Sequence, residues 1–352
     1  MKHSLPGIAV STAAALALSG CAAMQASAPK YDPTQSAAAQ AAAFVHTEQL
    51  AKVDLKKVAI TSCNVIISQA TGGASGTQAG AFQNDSGRVD KSISQVYTLR
   101  GISVEQQAAL SEQLCQRAED GFKKAGFNVV TMGELASNED YKKMHEAGSP
   151  SPVESGHGAI KNLVFAPKGQ AVVDPKYQGA GKGLKMAFSG ANPAKYEAGL
   201  AEALDATAAH VEITIDFAKV AGDGKAGFLS SFQKKDAAQV KAEVGLSMRG
   251  RIFFAGAGKK RWNPMPKIGL KAPLMDNGEL ALDIKDETTT GDKAANAFST
   301  AVGILTAVGG GNGRSFSVSR KSVTVTPDNF ISVAMKMYGN IIDMQMTVAK
   351  GG

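Results

Sequence analysis

A chain of 352 residues is long enough for one large domain or two smaller ones. With 38 Lys/Arg against 31 Asp/Glu and 44% hydrophobic residues it has the balance of a globular protein that is mildly basic. Its two most apolar runs, Ile8–Leu18 and Ala294–Val308, are both too short to span a bilayer as a helix.

The chain opens Met1-Lys2-His3, then runs apolar and alanine-rich from Ile8 to Leu18 with no charge. A positive start followed by a short apolar core reads as a signal peptide. Leu18-Ser19-Gly20-Cys21 follows, and it resembles the lipobox of bacterial lipoproteins. The small residues before the cut fit a peptidase groove, and the thiol accepts the diacylglycerol. The resemblance implies that residues 1–20 are removed and that Cys21 is the acylated first residue of the mature chain. Ala22 stands where an aspartate would retain the protein in the inner membrane. Outer-membrane attachment, with the domain facing the periplasm, is therefore expected. Two or three acyl chains on one residue anchor a protein stably.

Two cysteines remain, Cys63 and Cys115, in an oxidising compartment. They are either a disulfide or two buried thiols acting as small apolar residues. Removing Lys2 leaves 37 basic and 31 acidic residues, a net charge of +6. Between His157 and Lys271 there are 18 Lys/Arg and 9 Asp/Glu, a local surplus of nine. Such a surface suits anionic lipid heads, glycan phosphates or peptidoglycan carboxylates, or is a solvated face with no dedicated partner. Nucleic acid is not an expected partner outside the cytoplasm.

Residues 21–50 read as a lipidated tether, because Ala, Gln, Ser and Pro dominate its first part and bury little surface. Its end, from Ala38 on, has helical propensity. The domain is expected over 51–352, with a candidate sub-boundary near 148–190. Lys57–Ile67 is β-branched and predicts a buried strand. Thr71–Gln95 is rich in Gly, Ser, Thr and Asn and predicts a long loop or a hairpin. Ser103 and Gln106 form a capping-box signature for a helix with Leu110, Leu114, Ala118, Phe122 and Ala125 on one face. Gly126 ends it, and Phe127–Thr131 is a second strand, so the segment fits a right-handed crossover.

Gly148–Gly183 reads as loop apart from Leu163-Val164-Phe165. Pro193 opens a helix to about Ala208. Val211, Ile213, Ile215 and Phe217 alternate, as do Val240, Ala242, Val244, Leu246 and Met248, which predicts adjacent antiparallel strands. Leu280–Ile284 and Phe316–Val325 are further strands, and Lys293–Val308 between them is expected to be a core helix, a partner-facing role being the alternative. Thr326-Pro327-Asp328 caps a last helix carrying Phe330, Val333, Met337, Ile341 and Met344. The sum is an α+β fold: a mixed or antiparallel sheet with packed helices, following a disordered N-terminal tether.

Few motifs carry chemistry. Gly222-Asp223-Gly224-Lys225-Ala226-Gly227 has the dinucleotide glycine spacing, but a strand follows it where the phosphates need a helix N-terminus. It reads as a hairpin loop. Gly179–Gly183 resembles a phosphate loop in composition only. His46, His145, His157 and His210 lack metal-ligand spacing, so no metal is expected. His157, between two glycines, is the best-placed for a ligand, though a surface-loop histidine explains it as well. Glu139-Asp140 and Asp286-Glu287 are chain neighbours and cannot face each other as an acid/base pair. Lys259, Lys260, Arg261 and Trp262, with Lys267 and Lys271 nearby, form the densest basic cluster and hold the sole tryptophan. That combination suits a membrane interface or an anionic glycan or lipid, or a basic turn with a packed Trp.

The lipobox, the tether, the Val58-Ala59-Ile60 strand, the insertion, the helix Ser103–Ala125 and Gly126-Phe127-Asn128-Val129-Val130 together resemble the curli-secretion lipoprotein family. The likeness covers about residues 50 to 135, with a vaguer strand pair at 209–255. It implies an α/β domain able to form outer-membrane rings. Thr71–Gln95 departs from that family: it lacks the alternating lipid-facing pattern of a barrel hairpin, which argues against a pore. The expected function is that of a non-enzymatic, lipid-anchored envelope protein without cofactor. It would serve as an assembly or accessory subunit in secretion, surface-structure or envelope maintenance, with envelope proteins or copies of itself as partners. The alternative is a periplasmic binding module for an anionic glycan or lipid. A hydrolase is the third reading, and no residue set here supplies nucleophile, base and oxyanion site together.

Overall fold

The computed structural model describes residues 31–32, 34–76, 89–157, 159–173, 193–222, 240–255, 266–276, 278–280, 282–308 and 313–351. Its strands form one twelve-stranded mixed sheet. The centre is β2 (Lys57–Gly76), flanked by β7 (Thr207–Gly222) in parallel and by β3 (Val89–Arg100) antiparallel. Outward from β7 come β8 (Val240–Ala255), β9 (Lys267–Leu270) and the edge strand β1 (Val45–Glu48), each antiparallel to the last. Outward from β3 come β12 (Gly313–Val325), in parallel, and β11 (Leu282–Asp286) at the other edge. Four short strands branch from this path. They are β4 (Asn128–Val130), the hairpin β5 (Val153–His157) and β6 (Ile160–Phe165), and β10 (Leu274–Met275).

The main core lies on one face, under α1 (Ala37–Phe44), α2 (Val104–Lys124) and the C-terminal α7 (Pro327–Gly351). Ser103 Oγ accepts from the Gln106 N–H at 3.2 Å, and Gln106 Oε1 accepts from the Ser103 N–H at 2.9 Å, closing the expected capping box. Leu110, Leu114, Ala118 and Phe122 are buried, as are Phe330, Val333, Met337, Ile341 and Met344 of α7. The two helices approach closely at Gly121, where a Cβ would stand 2.4 Å from Ile342 Cγ1. Cys63 of β2 and Cys115 of α2 are joined in a disulfide with Cα atoms 5.9 Å apart, fixing helix to sheet. The crossover from β2 through α2 to β4 is parallel, with Lys57 opposite Asn128.

A second, smaller core lies on the opposite face of β2 and β7. It is built by α3 (Met132–Leu135), α4 (Glu139–Glu146) and α5 (Pro193–Leu204), through Ala59, Leu135, Tyr141, Met144, Leu200 and Ala206. The fold is thus an α+β sheet with helices on both faces.

Several boundaries differ from the sequence reading. The segment expected as a tether to residue 50 is folded from Tyr31 onward. Tyr31 packs edge-on against Phe44, 6.0 Å between centroids, Ala41 and Phe44 are buried, and β1 pairs with β9. Alanine-rich sequence buries little per residue, but one Phe and one Tyr suffice to seat α1 on α7. Thr71–Gln95 is, where described, the two arms of an antiparallel pair with Ala70 opposite Thr98 and Gly76 opposite Ser92. The stretch expected as loop around Leu163 is a β5–β6 hairpin laid antiparallel on β2. Beyond the expected Val240–Met248 row, β8 runs on through residues 251–255, so β7 and β8 pair from Ala208–Ala255 to Gly222–Val240.

Candidate functional site

The helix α6 (Thr290–Val308) was expected in the core and lies outside it. From Lys321 on, β12 has β11 on its outer side; before it, that edge has no strand neighbour among the described residues. Bare edges template unwanted pairing. Here α6 and its leading loop supply side chains in place of a strand. Asn296 donates Nδ2–H to the Val318 carbonyl and accepts the Val318 N–H, both at 3.0 Å. Ser299 Oγ accepts the Phe316 N–H at 2.9 Å, and Thr288 Oγ1 accepts the Arg320 N–H at 3.1 Å. Asp292 adds an ion pair to Arg320 at 3.1 Å and caps the helix by accepting the Thr289 hydroxyl at 2.7 Å. That hydroxyl and the guanidinium hold the Asp292 carboxyl below the ordinary aspartate range.

Positions 292, 296 and 299 recur at i, i+4, i+7 and make one line along the helix. That line is polar, and it is the line that faces the sheet. Phe298 (72% exposed), Val302 and Leu305 (71% exposed) repeat the same spacing on the far side and face outward. Phe316, on the strand that Ser299 grips, is 53% exposed. The amphipathy of α6 is therefore reversed relative to an ordinary surface helix, whose apolar stripe faces the core.

A second cluster lies buried between β2, β7 and α5. The pairing of β2 with β7 steps from Ile60–Ala209 to Ser62–His210, leaving Thr61 as an extra, bulged residue. Such a bulge re-aims side chains. Thr61 and Ser62 both turn their hydroxyls to the α5 side, while Cys63 turns to α2. Ser62 Oγ is 2.5 Å from His210 Nδ1, His210 Nε2 contacts Glu197 Oε1, and Thr61 Oγ1 donates to the same Glu197 oxygen at 3.2 Å. A carboxylate at Nε2 places the imidazole proton there, so Nδ1 accepts the Ser62 hydroxyl.

The order hydroxyl, imidazole, carboxylate is that of a nucleophile, its base and its orienting acid. Access decides against that use: Ser62, His210 and Glu197 are 1%, 0% and 3% exposed. No substrate carbonyl reaches Ser62 Oγ in this packing. What the trio does is satisfy its own polar atoms inside the sheet–helix interface, where an unpaired charge is costly.

His145 links this cluster to the surface. Its Nε2 lies 3.2 Å from the Thr61 carbonyl, the one freed by the bulge, and its Nδ1 accepts the Ala171 N–H at 3.1 Å. The Ala171 N–H is an obligatory donor, so Nδ1 carries no proton and the ring is neutral. Burial also lowers the His145 pKa from its ordinary value. Outside it lies a recess of about 380 Å³, walled by Tyr141, Lys142, His145, Gln170 and Ala171. Tyr141 stacks edge-on to His145 with centroids 4.4 Å apart, and burial pushes its phenol pKa upward.

The residues singled out from sequence are dispersed. Cys63 and Cys115 meet in the disulfide. His157 ends β5 at the tip of the hairpin, exposed and away from the His145–His210 cluster. Glu139 pairs with Lys142 at 2.7 Å, and Asp286 accepts the Thr288 N–H at 2.8 Å, so each acts locally. Cys21, the cluster Lys259, Lys260, Arg261 and Trp262, the Gly179–Gly183 loop and residues 223–227 lie outside the described residues. Among the described residues no group of three His, Cys, Asp or Glu is placed to hold a metal ion, and no helix is long and apolar enough to cross a membrane. Sequence reasoning passed over Glu197 and weighed His210 only as a metal ligand. The signal was there: Glu197 lies three residues before Leu200 on the buried side of α5, and His210 alternates with the apolar row of β7.

Compared with protein-family models, curated proteins and solved structures, the chain matches none.

Proposed function

We propose that this chain is a lipid-anchored, non-enzymatic component of the bacterial cell envelope. It acts by contact, as an assembly or accessory subunit of secretion, surface-structure or envelope-maintenance machinery. The observation that carries this reading is the reversed α6, which spends its polar residues on the sheet edge and leaves Phe298 and Leu305 outside. Contiguous exposed apolar side chains of this kind mark interaction surfaces. The LSGC sequence ending at Cys21 supports outer-membrane anchoring, and the closed packing of Ser62 supports a role without catalysis.

The test is photo-crosslinking from position 298 in intact cells. A discrete set of envelope adducts, absent when Leu305 is replaced by Glu, is the expected result. An absence of adducts from 298, 302 and 305 alike would remove the contact reading. A serine-reactive phosphonate that modified Ser62 of the folded protein would overturn the non-enzymatic one.

The basic surplus between His157 and Lys271 favours a second reading, a binding module for an anionic glycan or lipid through Lys259, Lys260, Arg261 and Trp262. Charge-driven binding must weaken as salt rises. Binding to lipopolysaccharide that stays constant from low to high salt would count against it.

A further inference from the structure

We propose that residues 167–172 form an acid-released flap, latched at neutral pH by the unprotonated Nδ1 of His145. The latch lies on the face of the sheet opposite the main core and is independent of what α6 contacts.

The flap follows β6 and is fixed at both ends. Ala166 is buried, and Ser151 Oγ accepts its N–H at 3.0 Å. Val173 is buried too, and its carbonyl accepts Asn64 Nδ2–H at 2.6 Å. Between these ends Lys168 and Gly169 are exposed, and Pro167, Gln170, Ala171 and Val172 are half-buried. The middle is tied down by the Lys168 N–H on Glu112 Oε1 at 3.3 Å and by a two-way bridge between Ser149 and Val172 at 2.8 and 3.0 Å. The Ala171 N–H on His145 Nδ1, at 3.1 Å, completes the attachment.

The Ala171 tie fails on the gain of one proton. A backbone N–H cannot accept, so a protonated Nδ1 would face it donor to donor. The other ring nitrogen is indifferent to that proton: Nε2–H donates to the Thr61 carbonyl from the neutral and the charged ring alike. Protonation therefore cuts the link to the flap and keeps the link to β2. Helix α4 stays in place, with Tyr141 and Met144 buried in the smaller core, and the flap is the part free to move. The recess of about 380 Å³ lies against the same imidazole, between Lys142, Gln170 and Ala171, so a lifted flap lets water take the place of the Ala171 N–H.

Burial under the closed flap holds the His145 pKa below its ordinary 6.5, and His210 on β7 opposes a charge on the ring as well. Of the other groups around it, Lys142 on α4 opposes that charge. Glu146 on α4 favours it, as does Glu197 on α5, behind His210. Tyr141, stacked on the ring, stays a neutral phenol, and β2 offers the uncharged Thr61 and Ser62. Lifting the flap returns the ring to water and raises its pKa toward 6.5. A group that binds protons more tightly in the open form makes opening more favourable as pH falls. Between the two pKa values each opening takes up one proton, so the open fraction rises about ten-fold per pH unit.

The experiment is amide hydrogen exchange of the full mature chain from pH 7.5 to 5.5, corrected for the intrinsic chemical rate. The series stops above the ordinary carboxylate range of about 4, which keeps Glu112 and Glu146 out of the readout. Protection of the Ala171 and Val172 amides is expected to be constant above pH 6.5 and to fall below it, by up to about ten-fold per pH unit. The amides of β2 and β7 should keep theirs. His145→Gln, which can accept from Ala171 and donate to Thr61 without titrating, should make protection of the flap independent of pH. The carbon-13 chemical shift of the His145 imidazole in the unmodified protein supplies a second readout, and its titration should track the loss of flap protection. Flat protection down to pH 5.5 would overturn the proposal, and so would a pH dependence that survives His145→Gln. Loss of protection in β2 and β7 together with the flap would also overturn it, since that is acid unfolding of the domain.

Discussion

Reduction of the Cys63–Cys115 disulfide tests how helix α2 is held to the sheet. The bond closes a loop whose ends are 52 residues apart in sequence and which contains most of β2, all of β3 and the first half of α2. In the chain-entropy description a loop of that size removes about 14 cal/mol/K from the unfolded ensemble, or about 4 kcal/mol at 25 °C. Both sulfurs lie in the main core, with Cys63 and Cys115 at 0% and 1% exposure, so removal also leaves two buried polarisable atoms to repack. The double variant Cys63→Ala, Cys115→Ala is expected to lose about 4 kcal/mol, and with a urea slope of about 3 kcal/mol/M the midpoint should fall by about 1.3 M. Equilibrium urea unfolding followed by far-UV circular dichroism measures this, with the oxidised protein as reference. Coincident midpoints for the oxidised and variant proteins would refute the reasoning.

Further outcomes follow from the packing. His145 is neutral in the fold and its pKa is lowered by burial, so between the ordinary value of 6.5 and the lowered folded value the unfolded chain binds more protons. Stability should be fully present above pH 6.5 and fall as pH drops through that window. His145→Gln, which can keep both hydrogen bonds, should flatten this component of a pH series of urea midpoints; an unchanged pH dependence would dismiss His145 as its source. Replacing His210 by Leu takes the imidazole away from the buried Glu197 carboxylate, and a loss of about 3 kcal/mol is expected by the same unfolding assay. Gly121→Val should cost about 1–3 kcal/mol, because its Cβ would sit 2.4 Å from Ile342 Cγ1 and α2 must shift from α7. By contrast Leu305→Glu, at a site 71% exposed, should change stability by less than about 0.5 kcal/mol while losing the contacts of α6.

Much of the fold was legible where periodicity and capping agree. The capping box at Ser103, the apolar row Leu110 to Phe122, the alternation of Val211 to Phe217 and the stripe Phe330 to Met344 each predict an element that is present. Short strands escaped because they carry almost no local pattern: β1 is Val-His-Thr-Glu and exists only because β9 supplies its hydrogen bonds. The α6 segment misled for the opposite reason. Its apolar content suits a core, and nothing local says that Asn296 and Ser299, three residues apart, will take the sheet edge. The buried cluster needed long-range information too. Ser62 and His210 are 148 residues apart and meet only through the bulge at Thr61, which no local pattern at Ile60–Cys63 announces.

The parallel pairing of β3 with β12 places Gly313 beside Val89, two strands from the middle of a sheet whose main core is roofed by the 25 residues of α7. The strand that covers this edge of β3 and the helix that roofs the main core are thus both supplied by residues 313–351. A product cut short anywhere before α7 would bare the edge of β3 or strip Phe330, Tyr338 and Ile341 from the core. Such a partial chain would carry unmatched strand edges, the feature that templates unwanted pairing.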